Sequence, residues 1–254
     1  MKKYGNWIPK RMVYFDLFGL LCLYGINIWL IIQKFLNISI VITIISILWT
    51  LLTIKLINLY KVFNYDNEKS LSWKIIKFVS KFVNVEPNQK ILDIGCGSGA
   101  LSILCAKRNI KATVLGLDRW GIEYNDFSKE ICEDNAYEEN VKNISFIKGD
   151  AKNLNLEKES FDCITSNYVI HNIPGDRQKV LLNIFDLLKW GGTFAIHDIF
   201  TKEKYGDIES FINKLKKLGY EKVELMDTTQ GNPMTMKKAK KSMLKGSKLL
   251  YGKK

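Results

Sequence analysis

The sequence predicts an α/β domain on a mostly parallel sheet with helices on both faces, preceded by a hairpin of two long apolar helices. Three observations carry this. The run Ile91-Leu92-Asp93-Ile94-Gly95-Cys96-Gly97-Ser98-Gly99-Ala100 turns a buried strand into a helix through alternate glycines. Strand-like segments near 91, 114, 144, 162, 194 and 223 alternate with helical stretches, a spacing that demands parallel crossovers. From Met12 to Tyr60 runs one long apolar stretch, broken in the middle by Gln33-Lys34.

The apolar stretch comes first. Met12 to Ile32 gives 21 residues, with Asp16 and Asn27 as interruptions, and Ile38 to Tyr60 gives 23, with Lys55 and Asn58 near the end. Each exceeds the ~20 residues that cross hydrocarbon as a helix, and neither carries a continuous polar face. A cleaved leader is disfavoured because no small-residue cleavage site follows Ile32 and a second span begins at once. A buried helical pair of a soluble domain and a re-entrant hairpin in one leaflet compete with the spanning hairpin and are ranked below it. Lys2, Lys3, Lys10 and Arg11 precede the first span and Lys55 and Lys61 end the second, whereas the connection holds only Lys34. Both termini are therefore expected on the cytoplasmic side of a cell membrane. Trp7, Trp49, Tyr60 and Tyr65 suit interface anchors, although Trp49 also suits packing between the helices. The expected division is an anchor over residues 1–63 and an α/β domain over 64–254.

The net charge of +12 has an address. Residues 1–11 hold four basic residues and residues 237–254 hold eight lysines, with no acid in either, which accounts for the whole excess of 38 basic over 26 acidic residues. Each basic residue near an anionic headgroup contributes on the order of 1 kcal/mol, so the Lys-rich C-terminal segment suits a bilayer surface. The plainer reading is a solvated lysine helix that keeps the protein soluble. Nucleic acid is not expected, given the two spans and no aromatic stacking motif in the tail. Five cysteines without metal-type spacing imply reduced thiols, no disulfide and no metal site.

The α/β part reads in order. Leu71 to Val83 is an amphipathic helix, and Glu86-Pro87-Asn88-Gln89 turns into the first strand. Helices are expected over Gly99–Arg108, Asn125–Glu139, Arg177–Leu188 and Asp207–Leu218, with a last strand at Lys248–Tyr251.

The glycines alone leave two readings, since Gly95, Gly97 and Ala100 also satisfy the G-x-G-x-x-G/A dinucleotide fingerprint. The acids discriminate. Asp93 puts a carboxylate at the strand's end, which repels a pyrophosphate and attracts an ammonium group. Val114-Leu115-Gly116-Leu117-Asp118 ends a second strand in an acid placed for ribose hydroxyls, and Ile144 to Ala151 ends a third in Gly149-Asp150-Ala151. In these motifs the chain resembles the class I S-adenosylmethionine-dependent methyltransferases. Phe161 to Asn172 and Leu187 to Phe194 look like that family's fourth strand and its helix, Gly-Gly turn and fifth strand. The resemblance, over roughly residues 68–254, implies a Rossmann-like fold with a seven-stranded sheet whose last strand enters antiparallel. It implies S-adenosylmethionine as cofactor, bound by Asp93, Gly95, Cys96, Gly97, Gly99, Asp118, Arg119, Asp150, Ala151 and Asn167. Cys96 is there as a small residue and not as a nucleophile.

His171 and His197 are the chain's two histidines, and both follow strands at the edge where open α/β sheets build their sites. His171 suits a base that takes a proton from an acceptor hydroxyl or amine. A histidine bonded to backbone at a helix start is ranked above that reading, and His197-Asp198 carries the same two readings with the base ranked lower still. Asn167 and Tyr168 are expected to line the pocket. The acceptor is expected to be a small lipophilic molecule or lipid. A membrane-tethered nicotinamide oxidoreductase and an inactive interaction module on the same fold are the competing functions.

Overall fold

A computed structural model describes residues 4–121 and 127–254. Lys2, Lys3 and the start of the helix expected from Asn125 lie outside the described residues. The chain forms two compact units, Asn6–Asn64 and, with Tyr4 and Gly5, Tyr65–Lys254.

The smaller unit is the helical pair α1 (Lys10–Ile32) and α2 (Leu36–Val62), joined through Lys34 in the left-handed region. Its inward residues are polar but for Leu30. Asn27, Ser39, Ser46 and Thr53 are buried, while Phe15, Phe18, Leu21 and Leu52 point outward. Asp16 accepts from Trp49 Nε1 at 3.0 Å and from Thr53 Oγ1 at 2.6 Å, and Asn27 bridges Thr43 and Ser39, both at 2.8 Å. Trp49 therefore packs between the helices, and its ring lies against Gly19. The inner polar stripe is a feature that the apolar runs had hidden.

The larger unit is a seven-stranded sheet of order β3-β2-β1-β4-β5-β7-β6. Its strands are β1 (Lys90–Ile94), β2 (Thr113–Asp118), β3 (Ile144–Lys148), β4 (Phe161–Asn167), β5 (Leu188–Ile199), β6 (Lys222–Asp227) and β7 (Ser247–Lys253). The first five pair in parallel, and β7 runs antiparallel to both β5 and β6. Around the sheet lie α3 (Leu71–Val79), α4 (Ala100–Arg108), α5 (Lys129–Glu138), α6 (Arg177–Phe185), α7 (Lys202–Tyr205), α8 (Ile208–Lys217) and α9 (Met236–Lys241). Ser70, Ser128, Asp176 and Asp207 cap helix starts with side-chain oxygens, satisfying amides that the helix leaves open. Leu92, Ile94, Ile164, Phe194 and Ile196 pack with Leu181, Phe185, Phe211 and Leu215 into one core.

Three expectations are corrected. The sixth helix ends at Phe185 and not at Leu188, because Leu188 already pairs with Phe161 in the sheet. The helix expected over Leu71–Val83 continues from α3 as a single 3-10 turn, Ser80–Phe82. Tyr4, assigned to the anchor by sequence, is buried in the larger unit: its amide donates to Asp66, its hydroxyl to Glu139, and its ring meets Trp73 edge-on.

Candidate active site

The glycine loop leaves β1 and enters α4 through three left-handed residues, Gly95, Gly97 and Gly99. A side chain at Gly95 would be strained by that backbone and would run into Val169, whose Cγ2 lies 2.3 Å from the place a Cβ would take. The loop is held from outside. Leu117 O accepts from Gly95 N and Cys96 N, Gly97 O accepts from Trp120 Nε1 at 2.8 Å and from the Cys132 thiol at 3.2 Å, and Ser98 O accepts from Asn135. Cys96 is buried, and its neighbourhood raises its thiol pKa well above the ordinary value, first by burial and then through Cys132. It stays a thiol, as a packing residue does.

The three acids lie at neighbouring strand ends and differ in setting. Asp118 is partly exposed, with Oδ2 accepting from Gly97 N and Oδ1 from Trp120 N, both at 2.8 Å. Each oxygen keeps a further lone pair. Asp150 is exposed beyond β3, with Oδ1 in a turn to Lys152 N; Ala151 next to it is buried, and Arg119 beside Asp118 is exposed.

Asp93 departs from expectation. It is 1% exposed and accepts from Ser102 Oγ of α4 at 2.5 Å, so it sits beneath the loop instead of facing outward. Strand parity is the reason: Leu92 and Ile94 take the core side and leave Asp93 the α4 side. Burial pushes its carboxyl up to about 7, against the pull of the Ser102 hydrogen bond.

The two histidines separate clearly. His197 is fully buried, its Nδ1 bonded to Asn167 Oδ1 at 2.8 Å and its Nε2 to Thr228 Oγ1 at 3.0 Å. Burial lowers its pKa to about 4, so it is a neutral structural ring, and Asn167 has one amide end committed to it. His171, in a single 3-10 turn after β4 (Ile170–Asn172), keeps 13% of its side chain exposed. Its Nδ1 meets Asp198 Oδ1 at 2.5 Å, and Nε2 has no partner among the described residues.

Asp198 is fully buried at the end of β5 and accepts from Ile199 N, His171 N and Tyr205 OH as well. Burial alone would raise its pKa; the hydrogen bond and charge of His171, with Ile199 N and Tyr205, hold it below the usual range. Tyr168 is buried between the two imidazoles, edge-on to His197 at 4.6 Å, with φ +57. It stands between the two rings. Sequence reasoning missed Asp198 as the partner of His171, Tyr205 behind it and Trp120 over the loop.

A family profile described as a methyltransferase domain matches residues 85–245. Arsenite methyltransferase of Rattus norvegicus is 32% identical over 130 residues, covering 48% of this chain and 35% of its own length. Demethylmenaquinone methyltransferase of Lactococcus lactis is 39% identical over 103 residues, 40% of this chain and 38% of its own. Sterol 24-C-methyltransferase of Debaryomyces hansenii is 30% identical over 134 residues, 51% and 33%. The chain thus spans little more than a third of these curated relatives. Among solved structures, phosphoethanolamine N-methyltransferase 2 of Haemonchus contortus superposes with a TM-score of 0.55 at 17% identity, over 73% of this chain and 53% of that one. The cyclase SpnF does so with 0.55 at 15%, over 71% and 80%. At such identities the likeness is one of fold, and a transferase beside a cyclase leaves the chemistry to the site.

Proposed function

The chain belongs to the class I S-adenosylmethionine-dependent methyltransferases, and we propose that it methylates a small lipophilic acceptor drawn from a membrane. The observation that carries donor binding is the glycine loop flanked by Asp118 and Asp150 at adjacent strand ends. These residues fit the donor: the loop presents backbone without Cβ atoms, Asp118 has lone pairs for two ribose hydroxyls, and Asp150 Oδ2 is open to an adenine amino group. Gly95, Cys96, Gly97 and Gly99 would line the donor's amino-acid end, with Asp93 below them, and Arg119, Ala151 and Asn167 its rim. The bound donor supplies an electrophilic methyl carbon. What remains for the protein is alignment and exclusion of water, with His171 as the base. Family membership removes the reason for a nicotinamide cofactor, and donor titration separates a working enzyme from an inactive module.

The lipophilic acceptor is supported by the hairpin. Two helices of 23 and 27 residues that bury serine, threonine and asparagine and expose phenylalanine and leucine invert the order of a water-soluble pair. Hydrocarbon is the solvent that suits them, so we assign a membrane-anchored location with the α/β unit on the cytoplasmic side. Relatives named for a sterol and a demethylmenaquinone favour the same acceptor class. Lysines of α9 suit anionic headgroups at that surface.

Calorimetry on the full chain in detergent tests the reading. Donor should bind, and Asp118→Ala should weaken it by about 1–3 kcal/mol, the loss of hydrogen bonds to a charged acceptor. Unchanged affinity would remove Asp118 from the site, and no binding by wild type would leave the module. Recovery of the full chain in the soluble fraction after lysis would remove the anchor.

A further inference from the structure

We infer that His171, Asp198 and Tyr205 form a proton-accepting relay, and that the acceptor it serves is a weakly acidic hydroxyl such as a phenol or quinol. This rests on the methyl-transfer reading above and adds the acceptor group. The relay is built as a base needs it. Asp198 takes the Nδ1 proton of His171 at 2.5 Å, which fixes the tautomer and leaves the Nε2 lone pair as the accepting end. Asp198 cannot swing away, because both its oxygens are filled: Oδ1 also accepts from Ile199 N at 2.7 Å, and Oδ2 from His171 N at 3.0 Å and Tyr205 OH at 2.8 Å. A carboxylate fully buried on four donors is stronger architecture than orienting a surface imidazole requires.

Its position relative to the donor loop follows from the chain. Val169, two residues before His171, is the side chain that covers Gly95. The relay therefore stands beside the loop that would hold the methyl donor, at the edge where β1, β4 and β5 end.

Charge selects the acceptor. Arg177 Nε and Lys204 Nζ donate to His171 O at 3.1 and 3.5 Å, and Asp198 is closed off by its own donors. The turn that carries the imidazole is thus held by two cations, a setting that favours oxygen gaining negative charge over a protonated amine. An imidazole can take a proton from a hydroxyl of phenolic acidity, a few pK units above its own, far more readily than from an aliphatic alcohol. The step balances. An oxygen lone pair forms the O–CH3 bond as the S–CH3 pair returns to sulfur; the O–H proton moves to His171 Nε2, whose charge Asp198 offsets, and then to water.

The test uses the full chain in lipid nanodiscs with methyl-labelled donor and three probes of equal chain length: an alkyl hydroquinone, an alkyl nitrophenol and an alkylamine. Label is expected on the two hydroxyl probes and not on the amine. His171→Gln and Asp198→Asn should lower kcat on the hydroquinone about 100-fold or more with donor affinity unchanged. The loss should shrink to a few-fold on the nitrophenol, which ionises without help; a merely structural role would lower both alike. Tyr205→Phe should fall between. With no donor or acceptor present, a downfield Nδ1 proton should be visible by NMR in wild type and absent in His171→Gln. Label on the amine, label on no probe although donor binds, equal losses on both phenols, or no such proton in wild type would each overturn the relay. Failure of donor binding itself would instead remove the parent reading.

Discussion

In the hairpin helices the residues turned inward are Asn27, Ser39, Ser46 and Thr53 with a single leucine, Leu30, whereas in the α/β unit the inward positions belong to residues such as Leu92, Ile94, Ile164 and Phe194. Both interiors are packed, and both satisfy most of their buried polar groups: Ser46 and Thr50 return their hydroxyls to carbonyls one turn earlier, and Thr165 gives its own to Ala195 O, while Thr193 Oγ1 of β5 is left without a partner among the described residues. What differs is where the free energy of apolar surface is collected. In the α/β unit it comes from removing that surface from water, about 25 cal/mol per Å². In the hairpin the outward phenylalanines and leucines gain nothing from each other and suit a solvent of hydrocarbon. Short polar side chains are then what lets two helices approach and hold. One chain uses two solvents, and each residue's role has to be read against its own.

The comparison breaks most visibly at an aromatic. Phe194→Ala removes a buried ring packed at a tilt against Phe185 and should destabilise the α/β unit by about 3–5 kcal/mol, whereas Leu52→Ala on the outward hairpin face should change it by less than about 0.5 kcal/mol. Urea unfolding of the full chain in micelles, followed by the near-ultraviolet signal of the α/β unit, checks both. Equal losses would mean that Leu52 is buried against protein.

A slightly smaller effect comes from the one acid in the α/β interior that burial holds near neutrality. The Asp93 carboxyl sits at about 7 in the fold, and an unfolded carboxyl near 3.9. The folded state therefore binds the proton more tightly. The resulting stabilisation is full below about pH 4 and is lost as pH rises through about 7. Three pK units amount to roughly 4 kcal/mol. Asp93→Asn should flatten this slope, and relative to wild type it should gain about 4 kcal/mol more at pH 8 than at pH 4. Parallel curves for the two proteins would show that Asp93 ionises without penalty.

Most of the α/β fold was legible because its signals are local. Val114-Leu115-Gly116-Leu117 and Phe161 to Asn167 announce strands by composition, and the Gly95 to Gly99 turn needs nothing distant to be recognised. What failed depends on partners. The end of α6 is set by Leu188 pairing with Phe161, and Tyr4 is held by Trp73 and Glu139, far along the chain. His171 and Asp198 meet only because β4 and β5 are neighbours, so the dyad is invisible until the sheet is drawn. The inner stripe of the hairpin is written in the sequence all the same: Ser39, Thr43, Ser46, Thr50 and Thr53 recur at spacings of four, three, four and three, the period of a helix-pair seam. Averaging over apolar runs conceals such a seam, because only small residues mark it.

That seam supports the smallest and most discriminating prediction. Asn27 of α1 joins it from the other helix, donating to Thr43 Oγ1 and accepting from Ser39 Oγ. Two hydrogen bonds between membrane helices are worth about 0.6 kcal/mol each on average, so Asn27→Leu should weaken helix association by about 1 kcal/mol in micelles. In a water-soluble pair the same change adds apolar area to an interface that water already compresses, and the helices should tighten. The sign of the change therefore reports the solvent. Paired cysteines at Gly25 and Ile45, spin-labelled in full-length chains with and without Asn27→Leu, would report the distance distribution between the helices. Broadening places the hairpin in hydrocarbon, and narrowing returns it to water. Donor affinity should be the same in both chains, because nothing in the glycine loop or at Asp118 depends on Asn27.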